Sequence, residues 1–156
     1  PGREAKGALI GFGDVHGRTH VYRAIVEGLM YALKESAGRI EKRAKVRIRS
    51  LRVSGGGAQS DSVVQIAADV FGLKVERPHT TETSGLGAAI CAAVGLGLHP
   101  DYATAVAKMT RVGHTAQPDK LRQELYHQLY SKVYRPLYTQ LQPLYRDIRA
   151  ITGYPQ

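Results

Sequence analysis

Hydrophobic positions change period several times along the chain. Gly7 to Phe12 (GALIGF) is a short apolar run bounded by glycines and predicts a strand. After a loop from Gly13 to Arg18, the residues Tyr22, Ile25, Val26, Leu29 and Leu33 fall at helical spacing, with Thr19 as the expected N-cap and Gly38 as the expected stop. A polar connection from Arg39 to Lys45 leads to Val46–Val53, whose β-branched Val46, Ile48 and Val53 predict a second strand. Gly55-Gly56-Gly57 ends that strand. A helix is expected from about Ser60 to Phe71, carried by Val64, Ala67, Ala68 and Phe71 and stopped by Gly72. Leu73 to Glu76 predicts a third short strand, Gly85 to Val94 a small-sided helix packed between other elements, and Asp101 to Met109 a further helix.

The C-terminal third has one dominant rhythm. Leu121, Leu125, Leu129, Val133, Leu137 and Leu141 recur every fourth residue, and Leu144, Ile148 and Ile151 continue the series. Tyr126, Tyr130, Tyr134 and Tyr138 follow one position behind and are expected to pack. This predicts a long amphipathic helix or helix pair, kinked or broken at Pro136 and Pro143, because proline removes a backbone donor and crowds the preceding turn. Alternating strands and helices followed by helices give an α/β class, a sheet with helices packed on it.

Composition narrows this. The 156 residues suit one compact domain, and 43% hydrophobic with 22% charged residues is a globular balance. No run of about 20 apolar residues occurs, so no membrane span is expected. The single cysteine, Cys91, lies among apolar neighbours and reads as a buried core thiol rather than a reactive one, in keeping with a cytoplasmic protein. The chain opens Pro1-Gly2-Arg3-Glu4, with neither Met nor a leader pattern, and we expect a piece of a longer protein. Much of the net charge of +9 lies at Arg39, Lys42, Arg43, Lys45, Arg47, Arg49 and Arg52. A solvated surface explains such a run. The alternatives are a face for acidic ligands or nucleic acid, and the lack of interleaved aromatics disfavours single-strand binding.

Three motifs could carry chemistry. Gly55-Gly56-Gly57-Ala58-Gln59-Ser60 lies between a strand and a helix, where glycine admits close backbone approach and the helix N-terminus favours an anion. It is neither a P-loop nor a dinucleotide fingerprint, and a glycine turn does not by itself identify a ligand. Gly13-Asp14-Val15-His16-Gly17 resembles the first metal motif of calcineurin-like phosphoesterases, but the later ligand motifs of that family are missing from the sequence. His16 and His20 are four apart, yet with Thr19 as cap His16 falls outside the helix, so both read as polar loop residues.

Taken together, the order and spacing of these pieces resemble the C-terminal lobe of the FGGY carbohydrate kinases, over about Gly7 to Tyr145. Gly7–Glu27 is similar to a family signature, with Gly11 followed by His20-Val21 and Ala24-Ile25-Val26-Glu27; Phe12 departs from the smaller aliphatic residue preferred there. Leu51–Gln65 resembles the family's adenosine loop and its helix. Ala68-Asp69, Val75-Glu76-Arg77-Pro78, Glu82 and Gly85-Leu86-Gly87-Ala88-Ala89 follow in family order. The resemblance implies a portion of an actin-like ATPase (ribonuclease H-like) C-terminal domain, with a mixed sheet flanked by helices and a long, proline-kinked C-terminal helix.

It further implies a phosphotransferase that uses ATP and Mg²⁺ on a sugar or polyol hydroxyl. Gly55, Gly56 and Gly57 would form the nucleotide turn, with Gly56 and Gly57 against phosphates and ribose. Gln59 would flank the base, and Ser60 would take the position, asparagine in glycerol-kinase-like members, from which a side chain approaches adenine. The catalytic aspartate and the Mg²⁺ ligands of such kinases precede this region, and Asp14, Asp61 and Asp69 do not match that aspartate. The expected partners are therefore an N-terminal sugar-binding lobe of the same protein, ATP or ADP and a sugar or polyol, with a homodimer also compatible. A nucleotide-binding module of another actin-like ATPase is the alternative, followed by a basic nucleic-acid-binding domain.

Overall fold

The structure, a computed structural model, describes residues 5–154. The opening Pro1–Glu4 lies outside the described residues. The elements in order are α1 (Arg18–Ala44), β1 (Ser50–Arg52), a 3₁₀ turn (Gly56–Gln59), α2 (Asp61–Phe71), β2 (Lys74–Pro78), α3 (Thr83–Gly95), α4 (Tyr102–Met109), β3 (Val112–Ala116), α5 (Lys120–Leu129), a π turn (Tyr130–Tyr134) and α6 (Arg135–Thr152). The sheet is small and mixed, in the order β1-β2-β3, with β1 parallel and β3 antiparallel to β2. The expected mixed sheet flanked by helices is present, while several of its parts differ from expectation.

Gly7–Phe12 is not a strand. It pairs with nothing among the described residues, and Leu9, Ile10 and Phe12 are exposed, so its apolar pattern has no sheet to satisfy. Helix α1 begins one residue before Thr19, at Arg18. The His20 ring reaches back so that its Nδ1 accepts the Gly17 N–H at 3.1 Å, which supplies the cap expected of Thr19. Nor does Gly38 stop α1. A glycine within a helix costs about 1 kcal/mol, and the turns around it hold: Arg39 pairs with Glu35, and Glu41 accepts the Ile48 N–H at 2.7 Å. The helix ends instead at Lys45, in the left-handed conformation at φ 54°. The expected strand from Val46 shrinks to the three residues of β1.

The centre of the molecule is α2. On one side Val64, Ala67 and Ala68 pack with Val75 and Ala116 of the sheet. On the other, Val70 joins Tyr31 of α1 and Tyr126 of α5. Gly72 ends α2 at φ 68°, where sequence placed the stop. Strand β3 escaped sequence reading. Its pairing with β2 shifts register at Arg77/Pro78, next to Gly113, and a Cβ on Gly113 would lie 2.7 Å from the His79 Cα. Glycine is required there by close backbone approach.

Helix α3 buries Ile90 and Ala93 but leaves Ala88, Ala89, Cys91 and Ala92 exposed. It packs chiefly on α4, so its small side chains are not enclosed, and Cys91 is an exposed thiol rather than the expected core residue.

From Lys120 to Thr152 the chain stays helical. Pro136 does not break it: Arg135 N–H bonds to Tyr130 O, five residues back, and this wider turn accommodates the donor missing at the next residue. Helix α6 runs on through Pro143. The tyrosines, not the leucines, form the packed stripe. Tyr126 is buried and Tyr31 contacts the rings of Tyr126, Tyr130 and Tyr134, whereas Leu121, Leu125, Leu129 and Val133 face outward. Polar tips explain the preference: Tyr126 Oη donates to Glu27 at 2.7 Å and Tyr130 Oη donates to Glu35. Similarly, Tyr22, Ile25, Leu29 and Leu33 of α1 are exposed, and the face carrying Val26 and Tyr31 is buried. Among the described residues no helix is long and apolar enough to cross a membrane.

Candidate nucleotide-binding site

Strands β1 and β2 run parallel, so the helices that follow them, α2 and α3, both start at the same edge of the sheet. Helix N-termini carry partial positive charge and unpaired N–H groups, and such edges of α/β sheets bind anions. The glycine turn lies at this edge. Val53 N–H extends the ladder to Glu76 O at 2.9 Å, and the backbone then turns sharply at Gly55, φ 92° and ψ −178°. That conformation is accessible to glycine alone. The Ala58 N–H closes on Gly55 O at 3.1 Å, and the buried Ala58 methyl anchors the 3₁₀ turn.

Gly56 and Gly57 are different. Neither has positive φ, both are exposed, and a Cβ built on either meets no atom within 4 Å. Nothing among the described residues requires glycine at these two positions. Gln59 and Ser60 are exposed beside them. Ser60 occupies the N-cap position of α2, its carbonyl accepting Val64 N–H at 3.1 Å, but its hydroxyl makes no capping bond and stays available. The five candidate residues Gly55, Gly56, Gly57, Gln59 and Ser60 therefore share one outward-facing turn.

Two further side chains hold the turn, and sequence reasoning did not single them out. Thr83 Oγ1, at the start of α3, donates to Ser54 Oγ at 3.3 Å. Arg77 reaches under the turn from β2. Its Nη1 donates to Ala58 O at 2.8 Å and Gln59 O at 2.9 Å, and its Nη2 lies 2.8 Å from Asp61 Oδ1. A groove of about 410 Å³ opens beside Ser54, lined among others by Leu86, Ile90, Arg52 and Arg111.

The other motifs assemble less. Asp14 is exposed. The Nδ1 atoms of His16 and His20 each accept a local backbone N–H, from Gly13 at 2.9 Å and Gly17 at 3.1 Å. Among the described residues no three His, Cys, Asp or Glu side chains come together as metal ligands. The basic residues from Arg39 to Arg52 are exposed but spread over the end of α1, the following segment and β1, with Arg39 and Arg52 paired to Glu35 and Glu76.

A small mixed sheet flanked by helices, with a glycine turn leading into α2, is an architecture shared with solved carbohydrate kinases. The model for the FGGY family of carbohydrate kinases, C-terminal domain, matches residues 2–96, and the chain belongs to that family. A xylulose kinase from Staphylococcus epidermidis is 34% identical over 150 residues, which are 96% of this chain and 30% of that protein. The crystal structure of a xylulose kinase from Rhodospirillum rubrum superposes with a TM-score of 0.77 at 28% identity, covering 91% of this chain and 28% of that one. A Plasmodium falciparum glycerol kinase, solved with ADP, shares the fold at a TM-score of 0.68 and 22% identity, over 83% of this chain and 26% of its own. The chain thus spans about 30% of the length of the curated relatives it matches.

Proposed function

We propose that this chain is the adenosine- and phosphate-binding lobe of a two-lobed carbohydrate kinase, which transfers the γ-phosphoryl group of ATP to a sugar or polyol hydroxyl. The observation that carries the reading is the pair Gly56 and Gly57, glycines with open space where side chains would stand. Placed in the turn that leads into α2, they leave the backbone open to the approach of a phosphate or ribose. The ADP bound to the Plasmodium falciparum glycerol kinase of the same fold is in keeping with this ligand class.

In this reading Gly55 sets the turn, Gly56 and Gly57 admit the nucleotide, the N-termini of α2 and α3 offset phosphate charge, and Gln59 and Ser60 flank the adenosine. Mg²⁺ would neutralise the phosphate oxygens, held by groups outside this chain. A base on the other lobe takes the proton of the attacking hydroxyl as the bond to the γ-phosphorus forms and the bond to ADP breaks. Because positioning and electrostatics supply most of the rate in phosphoryl transfer, one lobe is inactive alone. The exposed Cys91 suits a reducing compartment, and we place the protein in the cytoplasm.

Assay of the two-lobed protein against a panel of ketoses, aldoses and polyols tests the reading. It is expected to show ATP turnover dependent on at least one of them, and this chain alone is expected to show none. Sugar-dependent turnover by the isolated chain contradicts it.

A further inference from the structure

We infer that Arg77 is a positioning residue for the nucleotide: its guanidinium clamps the glycine turn from beneath and fixes the direction in which the turn presents its backbone. The inference rests on the nucleotide-binding reading above and adds a determinant that does not touch the ligand.

The geometry is specific. One nitrogen, Nη1, donates to two consecutive carbonyls, Ala58 O and Gln59 O, which leave the turn on the side of the sheet. The other, Nη2, pairs with Asp61 in the first turn of α2. Three anchors on residues 58, 59 and 61 span the junction between the 3₁₀ turn and the helix. A carbonyl held on one side of a peptide plane turns the following N–H to the opposite side, because the plane is rigid. Clamping Ala58 O and Gln59 O therefore orients the N–H groups of Gln59 and Ser60, two of the residues assigned to the site.

The guanidinium is fixed by the chain itself. Its side chain is only 18% exposed, while Asp61 is 68% exposed, so the arginine is held by its surroundings and the carboxylate comes to it. The register shift at Arg77/Pro78 lies at this residue, and irregularities of this kind re-aim a side chain beside a binding site. The chain needs such a device. Gly55, Gly56 and Gly57 have the largest conformational freedom of any residue type, and a turn built from them orders at an entropic cost that ligand binding would otherwise bear. The planar fork serves two carbonyls from one nitrogen and a carboxylate from another. A lysine ammonium carries its three donors on a single nitrogen and lacks that spread.

The test uses the two-lobed protein with ADP in titration calorimetry and ATP in steady-state kinetics. Wild-type protein is measured first. If it neither binds ADP nor turns over ATP, the proposed function fails and this inference with it. Given wild-type binding, R77M is expected to weaken ADP binding and raise the KM for ATP by about tenfold, the scale of lost hydrogen bonds from a charged donor. The KM for the sugar and kcat at saturating ATP should stay within about twofold, and R77K should fall in between. ADP affinity unchanged in folded R77M overturns the inference. So does a loss spread equally over ATP, sugar and kcat, which marks a merely structural residue. If R77M does not fold, R77K decides: an unchanged KM for ATP in a folded R77K overturns the inference as well.

Discussion

Arg122 Nε lies 2.9 Å from Oδ2 of Asp69, joining the first turn of α5 to the buried side of α2. The Asp69 carboxylate is 2% exposed, and its other oxygen accepts the Asp119 N–H at 2.8 Å and the Gln65 amide at 2.9 Å. Asp119 is itself the N-cap of α5. One carboxylate thus fixes where the C-terminal helix begins against the nucleotide-side helix. Asp69→Ala is expected to destabilise the chain by about 3 kcal/mol, since it strands buried donors. Arg122→Ala should cost about 1 kcal/mol, because that arginine is half exposed and Asp69 keeps its other two partners. Urea denaturation of both variants checks the order, and equal losses would contradict it.

Gly113→Ala places a methyl 2.7 Å from the His79 Cα and 3.1 Å from Pro78 O, both backbone contacts that cannot swing aside. The expected loss is about 2 kcal/mol, within the range of overpacking. Gly57→Ala, with no atom near its Cβ, should be close to neutral, and thermal melts of the two variants check the contrast.

Burial raises the pKa of Tyr31, Tyr126, Tyr130 and Tyr134, and that of Tyr130 is pushed up to about 12, with its bond to Glu35 adding to the effect. A raised pKa means the folded state holds the proton more tightly than the unfolded chain. The stabilisation is complete below about pH 10, the ordinary tyrosine value. It declines from there and, for Tyr130, is lost as pH passes the folded value near 12. Lys34 and Lys6, both lowered chiefly by desolvation, work in the opposite direction. Alkaline titration followed by tyrosinate absorbance and circular dichroism together should show ionisation of these rings coinciding with unfolding. Full tyrosine ionisation with helicity intact would contradict the packing described.

Cys91 lies on the open face of α3. A thiol reagent should modify this chain once without denaturant, at a rate near that of the unfolded protein. Protection until unfolding is the contrary result.

Much of this organisation is legible in the sequence, and the misses share a cause. Gly72 and the helices starting near Ser60 and Asp101 were found because their signals are local: a left-handed stop and short runs at helical spacing. Strand β3 was missed because VGHTA has weak alternation and forms only by pairing with β2 across some 35 residues of chain. Gly7–Phe12 failed in the opposite sense, an apolar run with no partner strand among the described residues. The tyrosine packing was legible, but the α1 face and the leucines of α5 were misjudged because hydropathy ranks Leu above Tyr, while the carboxylates Glu27 and Glu35 reward a buried ring that ends in a hydroxyl. The glycine turn was readable as a candidate. Its clamp was not, because Arg77 comes to residues 58, 59 and 61 only through the parallel pairing of β1 with β2.

The most direct test of the central claim, that the glycine turn seats a nucleotide, is ADP titration of the two-lobed protein and its Gly56→Val variant. A Cβ at Gly56 meets no atom of the chain within 4 Å, so the variant should melt near the wild-type temperature. Wild-type protein is expected to bind ADP, and the variant to lose at least about tenfold in affinity as the side chain occupies the ligand's place. Equal ADP affinity in the two folded proteins would contradict the assignment of the site.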